Sequence, residues 1–278
     1  MSSAPVMLSY EPIQRIPVDR AEAQPNTPPA WLGERRVSVV IPALNEAECL
    51  PHVLPRVPAW IDEVLLVDGD SSDDTVAVAV HLRPGVRVVA QQGRGKGAAL
   101  RTGLLCATGD IIVTLDADGS TDPAEIPAFL GALLAGADFA KGSRFLQGAG
   151  SADMTGLRRW GNWGFAMLAN VLFHTHFSDL TYGYNAVWAR NRWALALEID
   201  GWPHEIITNI RVATTGLKVV EVASFEYARV AGNAKLRLIP AASAILAAIF
   251  GEWMKWRQAR ASQPLAAPLA VGEPERVR

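Results

Sequence analysis

Between residues 37 and 135 the chain alternates four times between a short apolar run and a segment of helical character. The runs predicted as strands are VSVVIPAL, EVLLVDG, VRVVAQ and DIIVTLDAD, and the segments predicted as helices are 46–57, 71–83, 96–107 and 123–135. A strand followed by a crossover helix is the repeating unit of a parallel sheet. Because continuous apolar runs are typical of strands covered on both faces, the pattern predicts an α/β fold, with a mostly parallel sheet flanked by helices.

The alternation becomes less regular after residue 137. We predict strands in ADFAKGSR, YNAVWAR and LKVVEVASFEYA, helices over 155–173 and near 204–215, and a C-terminal helix over 241–260. The first 36 residues contain six prolines and no apolar core segment, so 1–36 is expected to be a flexible arm without a signal peptide. Prolines recur near the C-terminus, which predicts a flexible tail over 261–278. The predicted folded domain is therefore 37–240.

The composition argues against a nucleic-acid partner and against a fold held together by disulfides or zinc. The chain has 278 residues, 50% of them apolar, and a formal net charge of −2, so no overall electrostatic attraction draws it to nucleic acid. Its two cysteines, Cys49 and Cys106, match no ligand spacing. This argues against a disulfide or zinc framework and suits a reducing cytoplasm. We expect a cytoplasmic protein that holds any anionic ligand by a local cluster of cations.

Two apolar segments without charged residues bear on membrane contact. The run at 238–251 is shorter than the roughly 20 helical residues that a bilayer requires, and the run at 160–178 carries two Asn and two His. Helical spacing gives the second run one apolar face, and Arg158 and Arg159 precede it. We expect helices that lie peripherally on the inner face of the membrane, although both could instead pack on the sheet or form a homodimer interface.

The predicted strands end in polar residues, and the pair Asp116 and Asp118 is the clearest case. Ligands of α/β sheets gather beyond the carboxyl ends of the strands. Carboxylates two positions apart on a strand share a face. Such oxygens, without His or Cys, suit Mg²⁺ or Mn²⁺, and Mg²⁺ takes one or two of them together with substrate phosphates. An isolated pair of this kind also occurs in a plain turn.

Three other strand ends add donors and acceptors to the same edge. GRGKG at 93–97 offers backbone N–H groups and cations near a helix N-terminus, which favours anions. Glu46, Asp68 and Asp70 follow the first two strands, where their oxygens could accept hydrogen bonds from a ribose or a nucleobase. Helix capping is the alternative for Asp70. Together the strand ends predict a site for a metal and a nucleoside diphosphate.

In combination these motifs resemble the family 2 glycosyltransferases, which have a GT-A-type fold and use a nucleotide-activated sugar, usually with a divalent cation. The matching stretches are VVIPALNEAE (39–48), VDGDSSDDT (67–75), GRGKGAALRTG (93–103), DADGSTDP (116–123) and GSRF (142–145). Within the family the chain looks most like the polyprenyl-phosphate sugar synthases, typified by dolichol-phosphate mannose synthase. That likeness rests on DLTYGYNAV (179–187), VVEV (219–222) and RVAGNAKL (229–236). The resemblance covers about 37–240 and implies that this domain is catalytic.

The resemblance implies a role for each matching position. The residues expected to bind the nucleotide sugar are Pro42, Ala43, Leu44, Glu46, Asp68, Asp70, Lys96, Gly97, Asp116, Ala117 and Asp118. Asp116 and Asp118 are the expected ligands of Mg²⁺ or Mn²⁺. The cations expected at the donor or acceptor phosphates are Arg144, Arg158, Arg229 and Lys235; a guanidinium can bind phosphate oxygens bidentately. The residues expected to be catalytic are Asp118, Arg144 and Glu205.

Three positions depart from the pattern of the polyprenyl-phosphate synthases. Gly69 stands where the family more often has a second consecutive acid, and Ser120 stands where these synthases commonly have a Gln near the metal. Ala234 replaces the Ser of their R-x-x-G-x-S-K motif. The expected fold does not depend on these positions, whereas the expected acceptor does.

The expected reaction is direct displacement at the anomeric carbon with inversion, in which metal and cations stabilise the leaving UDP or GDP. A lipid phosphate acceptor needs no general base, since a phosphate monoester has a second pKa of about 6 and is already largely ionised. A hydroxyl acceptor would need one, and the candidates are Glu205 and Asp179. The alternatives are a soluble family 2 transferase with a small hydroxylated acceptor, and a nucleotidyltransferase-like protein that binds nucleotides.

Overall fold

The computed structural model describes residues 14–16, 27–195, 198–201, 203–232 and 238–262. The helices are α1 (Leu50–Val53), α2 (Thr75–Leu82), α3 (Lys96–Cys106), α4 (Ile126–Leu134), α5 (Gly156–Phe173), α6 (Pro203–Thr214) and α7 (Leu238–Ala261). The strands are β1 (Gln14–Ile16), β2 (Val37–Ala43), β3 (Glu63–Asp68), β4 (Arg87–Ala90), β5 (Ile111–Thr114), β6 (Phe139–Ser143), β7 (Gly150–Ser151), β8 (Asn185–Trp188), β9 (Val219–Ala223) and β10 (Phe225–Glu226).

A mixed sheet organises these elements. Within the described ranges it has eight strands in the order β1-β9-β6-β8-β5-β2-β3-β4. Neighbouring strands are parallel, except that β8 runs antiparallel to both β5 and β6. Strands β7 and β10 form a separate parallel pair. Because β2, β3, β4 and β5 are parallel, the residues that follow them meet at one edge, and the predicted α/β class is confirmed.

Successive residues of the central strands point into two hydrophobic cores. Val39 and Ile41 of β2 lie in one core, with α1, α2 and α4, whereas Val40 lies in the other, with α3, α5, α6 and α7. In β3 the same alternation sends Leu66 to the first core and Leu65 to the second. All five side chains are fully buried. Burial on both faces of the sheet explains why these runs are continuously apolar.

Two predicted helices are shorter than expected. The helix predicted over 46–57 is reduced to α1 and a following 3-10 turn, because Pro55 has no N–H with which to continue the α-helical hydrogen bonds. The helix predicted over 71–83 begins later, at the first residue of α2. Ser71 instead accepts a hydrogen bond through its Oγ from Asn45 N at 2.9 Å. That bond joins the loops after β2 and β3.

Parts of both chain ends pack on the domain. Strand β1, which lies in the predicted arm, pairs with β9, and Leu32 is 2% exposed in the first core. Helix α7 begins before the predicted residue 241 and buries Ile245 and Ile249 in the second core. No described helix combines the length and apolarity needed to cross a membrane. The predicted division into arm, domain, helix and tail remains a prediction, and 1–13 and 17–26 of the arm and 263–278 of the tail lie outside the described residues.

Gly103 allows α3 to pack closely on the sheet. A Cβ atom at this position would overlap Val40 Cγ1 and lie 2.9 Å from Val67 Cγ2. Both valines are fully buried in the second core. Gly131 of α4 offers a contrast, because a Cβ atom there would meet no atom within 4 Å.

We predict that Gly103→Ala lowers the free energy of unfolding by about 1–3 kcal/mol, since the added methyl group overpacks the core. Gly131→Ala is the matched control and should leave that free energy unchanged or raise it by up to about 1 kcal/mol, because alanine favours a helix. Urea unfolding of both variants measures the difference. Equal stability of the two variants would contradict the close approach of α3 to β2.

Candidate functional site

A cleft of about 1720 Å³ opens at the carboxyl edge of the sheet. The predicted residues that line it are Pro42, Ala43, Leu44, Glu46, Asp68, Asp70, Lys96, Asp116, Ala117, Asp118, Arg144, Arg158, Glu205 and Arg229. Gly97 instead packs against the start of α6 and the segment before it, where a Cβ atom would lie 2.8 Å from His204 Cβ and 2.6 Å from Ile199 O. Lys235 lies outside the described residues. The fold therefore brings most of the predicted site together.

Lys96 connects three elements across this cleft. It is the first residue of α3, and its Nζ lies 2.8 Å from Asp116 Oδ1, after β5, and 2.8 Å from Glu205 Oε1, in the first turn of α6. Burial lowers the pKa of Lys96, but the two carboxylates outweigh this and raise the pKa above its ordinary value. The lysine is therefore a fixed positive charge in the cleft.

The carboxyl group of Asp116 has an unusual environment. Burial raises the pKa of Asp116 to about 6, with Lys96 opposing the shift and Asp118 and Glu205 adding to it. Gly183 leaves the space that this arrangement needs, since a Cβ atom there would overlap Glu205 Oε1 and lie 3.2 Å from Lys96 Nζ. The carboxyl group of Asp116 is thus held in place by its neighbours. A further positive charge beside it would lower its pKa.

Arg229 connects the loop that follows β2 with the loop that follows β5. Its Nη2 lies 2.5 Å from both carboxylate oxygens of Glu46, and its Nη1 lies 3.0 Å from Asp118 Oδ2. Ser120 fixes the other side of the aspartate, because Ser120 N donates to Asp118 Oδ1 at 3.0 Å. Tyr227 N in turn donates to Ser120 O at 2.8 Å. The serine that departs from the synthase pattern therefore positions Asp118 through its backbone.

The donor set suits a divalent cation that is shared with a phosphate. Four carboxylates pair with two cations in this cluster, so the cluster has a formal net charge of −2. The groups are Glu46, Asp116, Asp118, Glu205, Lys96 and Arg229. In the described part of the chain, no three His, Cys, Asp or Glu side chains are arranged to hold a metal. Mg²⁺ typically takes one or two protein carboxylates and completes its coordination with substrate phosphates, so the oxygens of Asp116 and Asp118 have the chemistry to hold Mg²⁺ or Mn²⁺ in that way.

Arg144 is held by carboxylates at the floor of the cleft. Its side chain is 4% exposed. Its Nε and Nη2 donate to the two oxygens of Asp179 at 2.7 and 2.9 Å, and its Nη1 donates to both oxygens of Glu226 at 3.0 Å. The guanidinium also lies 4.9 Å from the centre of the Tyr182 ring. Because protein groups use its donors, this geometry does not support the predicted contact of Arg144 with a phosphate.

The same ion pair decides between the two candidate bases. Asp179 is fully buried. Burial raises the pKa of Asp179, but Arg144 and Lys141 outweigh this and hold the pKa below its ordinary range. A carboxylate with a low pKa and both oxygens paired is a weak base, so the predicted role does not suit Asp179. Glu205 faces the cleft, but it is paired with Lys96.

At the mouth of the cleft, the first turn of α5 presents Arg158. Its Nη1 lies 2.7 Å from Asp153 Oδ2, and the arginine side chain is 30% exposed. A surface ion pair of this kind is weak, so a phosphate could compete for the guanidinium. The predicted contact with a phosphate is therefore compatible with the position of Arg158, and it stays a prediction.

Sequence reasoning missed Gln91, which follows β4 and lines the cleft. Its Nε2 donates to Gly93 O and Gly95 O, both at 3.1 Å. A Cβ atom at Gly69 would lie 3.0 Å from Gln91 Oε1. The departure at Gly69 was the available signal, since the glycine leaves space that the glutamine amide occupies.

Sequence comparison identifies the family of the chain. The model of glycosyl transferase family 2 matches residues 38–189. The chain is 30% identical over 213 residues to the undecaprenyl-phosphate mannosyltransferase of Micrococcus luteus, which covers 72% of this chain and 87% of that protein. It is 44% identical over 108 residues to an uncharacterized glycosyltransferase of Mycobacterium tuberculosis, a match that covers 39% of this chain and spans 48% of the length of that relative.

Structural comparison agrees on the fold. The chain is similar to the crystal structure of glucosyl-3-phosphoglycerate synthase from Mycobacterium tuberculosis in complex with Mn²⁺, UDP and phosphoglyceric acid. The TM-score is 0.66 at 23% identity, over 87% of this chain and 86% of that one. The GT-A-type fold and the family resemblance predicted from the motifs are thereby confirmed. The chain belongs to glycosyl transferase family 2.

Proposed function

We propose that this protein is an inverting glycosyltransferase that moves a sugar from a nucleoside diphosphate to a polyprenyl phosphate, with Mg²⁺ or Mn²⁺ as cofactor. The observation that carries the proposal is that one cleft is lined by charged side chains in one part and by apolar side chains in another. The carboxylate and cation cluster lines it together with the apolar side chains Leu157 and Phe165 of α5 and Leu246 of α7. A charged diphosphate and the phosphate end of an apolar chain can therefore meet in the same space.

The donor half of the proposal rests on the strand ends. Asp116 and Asp118 would hold the cation together with the diphosphate oxygens, and the cation would neutralise charge on the leaving diphosphate. Lys96 adds a fixed positive charge at the N-terminus of α3, where backbone N–H groups also favour anions. Arg229 keeps Asp118 oriented through its pairing with Glu46. The structural relative solved with Mn²⁺ and UDP supports this assignment.

The acceptor half rests on the environments of the two candidate bases, Asp179 and Glu205. Asp179 is ion-paired with a lowered pKa, and Glu205 is engaged by Lys96. An acceptor that is already ionised needs neither residue as a base. The relative named undecaprenyl-phosphate mannosyltransferase supports the same acceptor class. Glu205 then serves to position Lys96, and its predicted role as a base applies only to a hydroxyl acceptor.

Peripheral membrane contact is the second part of this proposal. Exposed apolar side chains on neighbouring helices form what we call the α5–α7 face. Its members are Leu157, Trp160, Trp163, Met167, Val171, Leu246, Phe250 and Met254. Lys255 is largely exposed on α7, and the guanidinium groups of Arg257 and Arg260 lie over the rings of Trp253 and Trp256 at 4.8 and 4.7 Å. Apolar and aromatic side chains next to cations are typical of helices in the headgroup layer of anionic membranes.

The transfer assay is the direct test of the proposed function. With Mg²⁺ or Mn²⁺, a panel of UDP and GDP sugars and polyprenyl phosphate in detergent, we predict sugar in the lipid fraction and release of a nucleoside diphosphate. Asp118→Asn should lower turnover about 100-fold or more, with an unchanged melting temperature. The matched control is Asp74→Asn, an exposed residue outside the cleft, which should keep full turnover.

Other outcomes of this assay would contradict specific parts of the proposal. Transfer to phosphoglycerate or another small hydroxylated acceptor, and not to the lipid, would overturn the acceptor. Release of pyrophosphate would indicate a nucleotidyltransferase. Full activity of Asp118→Asn would overturn the assigned metal ligand, and failure with every donor and acceptor would overturn the transferase.

For the membrane, we predict that Trp160→Glu combined with Phe250→Glu lowers co-sedimentation with anionic phospholipid vesicles at least tenfold, because both charges enter the α5–α7 face. Trp193→Glu is the matched control. Trp193 is 63% exposed, and its neighbour Arg192 donates to Leu104 O near the far end of α3, away from the cleft. Unchanged sedimentation of the double variant would contradict the proposal, and a fall from dimer to monomer mass in light scattering would assign the face to a homodimer.

A further inference from the structure

The end of β3 carries an oxygen acceptor that the metal and diphosphate cluster does not use. Asp68 Oδ1 is shielded from solvent, and no donor among the described side chains and backbone groups reaches it. Asp68 Oδ2 accepts a hydrogen bond from Ser71 N at 3.2 Å. A buried carboxylate oxygen without a hydrogen bond is destabilising. A ligand that supplies a donor at the end of β3 would satisfy this acceptor.

Gln91 contributes a second acceptor from the neighbouring strand end, since Gln91 N donates to Asp68 O at 2.9 Å. Its Nε2 donates to two backbone carbonyl groups, Gly93 O and Gly95 O. Because only the NH₂ group can donate to carbonyls, the orientation of the amide is fixed. Its Oε1 lies beside Gly69, where a Cβ atom would be 3.0 Å away, and Gly69 directly follows Asp68.

The strand order places these acceptors at a distance from Asp116 and Asp118, the proposed metal ligands. In the sequence β5-β2-β3-β4, Asp116 and Asp118 follow β5, whereas Asp68 ends β3 and Gln91 follows β4. Pro42 and Leu44, at the end of β2, line the cleft between them. A nucleoside diphosphate with its phosphates at Asp116 and Asp118 would therefore extend its base toward Asp68 and Gln91.

We propose that Asp68 Oδ1 and Gln91 Oε1 recognise guanine as the base of the donor; this rests on the proposed function, because it concerns the same nucleotide. Guanine carries a ring N–H and an amino group side by side, so it can donate to two acceptors supplied by residues of neighbouring strand ends. Uracil has one N–H between two carbonyl oxygens, and a second fixed acceptor would face one of those oxygens. Such a mismatch leaves polar groups unpaired and disfavours the wrong base.

Calorimetric binding of GDP, IDP and UDP to the full chain with Mg²⁺ tests this inference without any transfer. Hypoxanthine, the base of IDP, lacks only the amino group of guanine. We expect GDP to bind about tenfold more tightly than IDP or UDP, the effect of one unpaired hydrogen bond. Gln91→Leu should weaken GDP about tenfold, to the level of IDP, and change IDP less than threefold; it should not weaken UDP, because it removes the acceptor that would face a uracil oxygen. Gln92→Leu, at the exposed neighbouring position, should change none of them.

Each other outcome has a separate meaning. Equal affinity of the unmodified protein for GDP and IDP, or tighter binding of UDP, would overturn the guanine assignment and leave the proposed transferase intact; this comparison requires no folded variant. Equal weakening of all three nucleotides by Gln91→Leu would assign Gln91 to holding the glycine loop and overturn its contact with the base. Failure of all three nucleotides to bind would contradict the proposed function itself.

Discussion

The ion pairs of Lys96 with Asp116 and Glu205 hold the two sides of the cleft together. The lysine begins α3, the aspartate follows β5, and the glutamate lies in α6, so one ammonium group fixes three elements from distant parts of the chain. Small residues permit this approach, since Gly97 lets α3 contact the segment before α6 and Gly183 leaves room for Glu205. Removing one partner of such a pair leaves a charge uncompensated in a partly buried site. The orientation of Asp116, one of the two proposed metal ligands, depends on this arrangement.

A second polar network lies below the cleft and supports the first. Arg144 follows β6 directly and binds Asp179 and Glu226. Lys141 of the same strand is fully buried and donates to Gly142 O at 2.8 Å. Burial lowers the pKa of Lys141, with Asp179 opposing the shift. Paired charges in a low-dielectric interior tolerate few alternative geometries. This network therefore fixes the segment 179–184, in which Gly183 packs against Glu205.

The sequence was sufficient for the central parallel strands and for the residues at their carboxyl ends, whereas β1 lies in the stretch predicted as a flexible arm. The strands follow from local apolar runs, and parallel strands bring their carboxyl ends together, so Glu46, Asp68 and Asp118 could be placed in one cleft. Partners distant in the sequence could not be predicted. Arg144 looked like a phosphate ligand, yet its carboxylates are 35 and 82 residues away, and no local pattern encodes their approach. The amide of Gln91 was missed because its orientation depends on two backbone carbonyls.

The binding of the metal is the property that tests this arrangement most directly. If Asp116 and Asp118 hold the cation only together with a diphosphate, the chain alone should bind Mn²⁺ weakly, because two carboxylates engaged by Lys96 and Arg229 form an incomplete site. Electron paramagnetic resonance of free Mn²⁺, titrated with the protein in the presence and absence of GDP or UDP, measures this coupling. We predict at least tenfold tighter Mn²⁺ binding with one of the nucleotides. Tight stoichiometric binding of Mn²⁺ by the protein alone, or no increase with either nucleotide, would contradict a shared metal and diphosphate site.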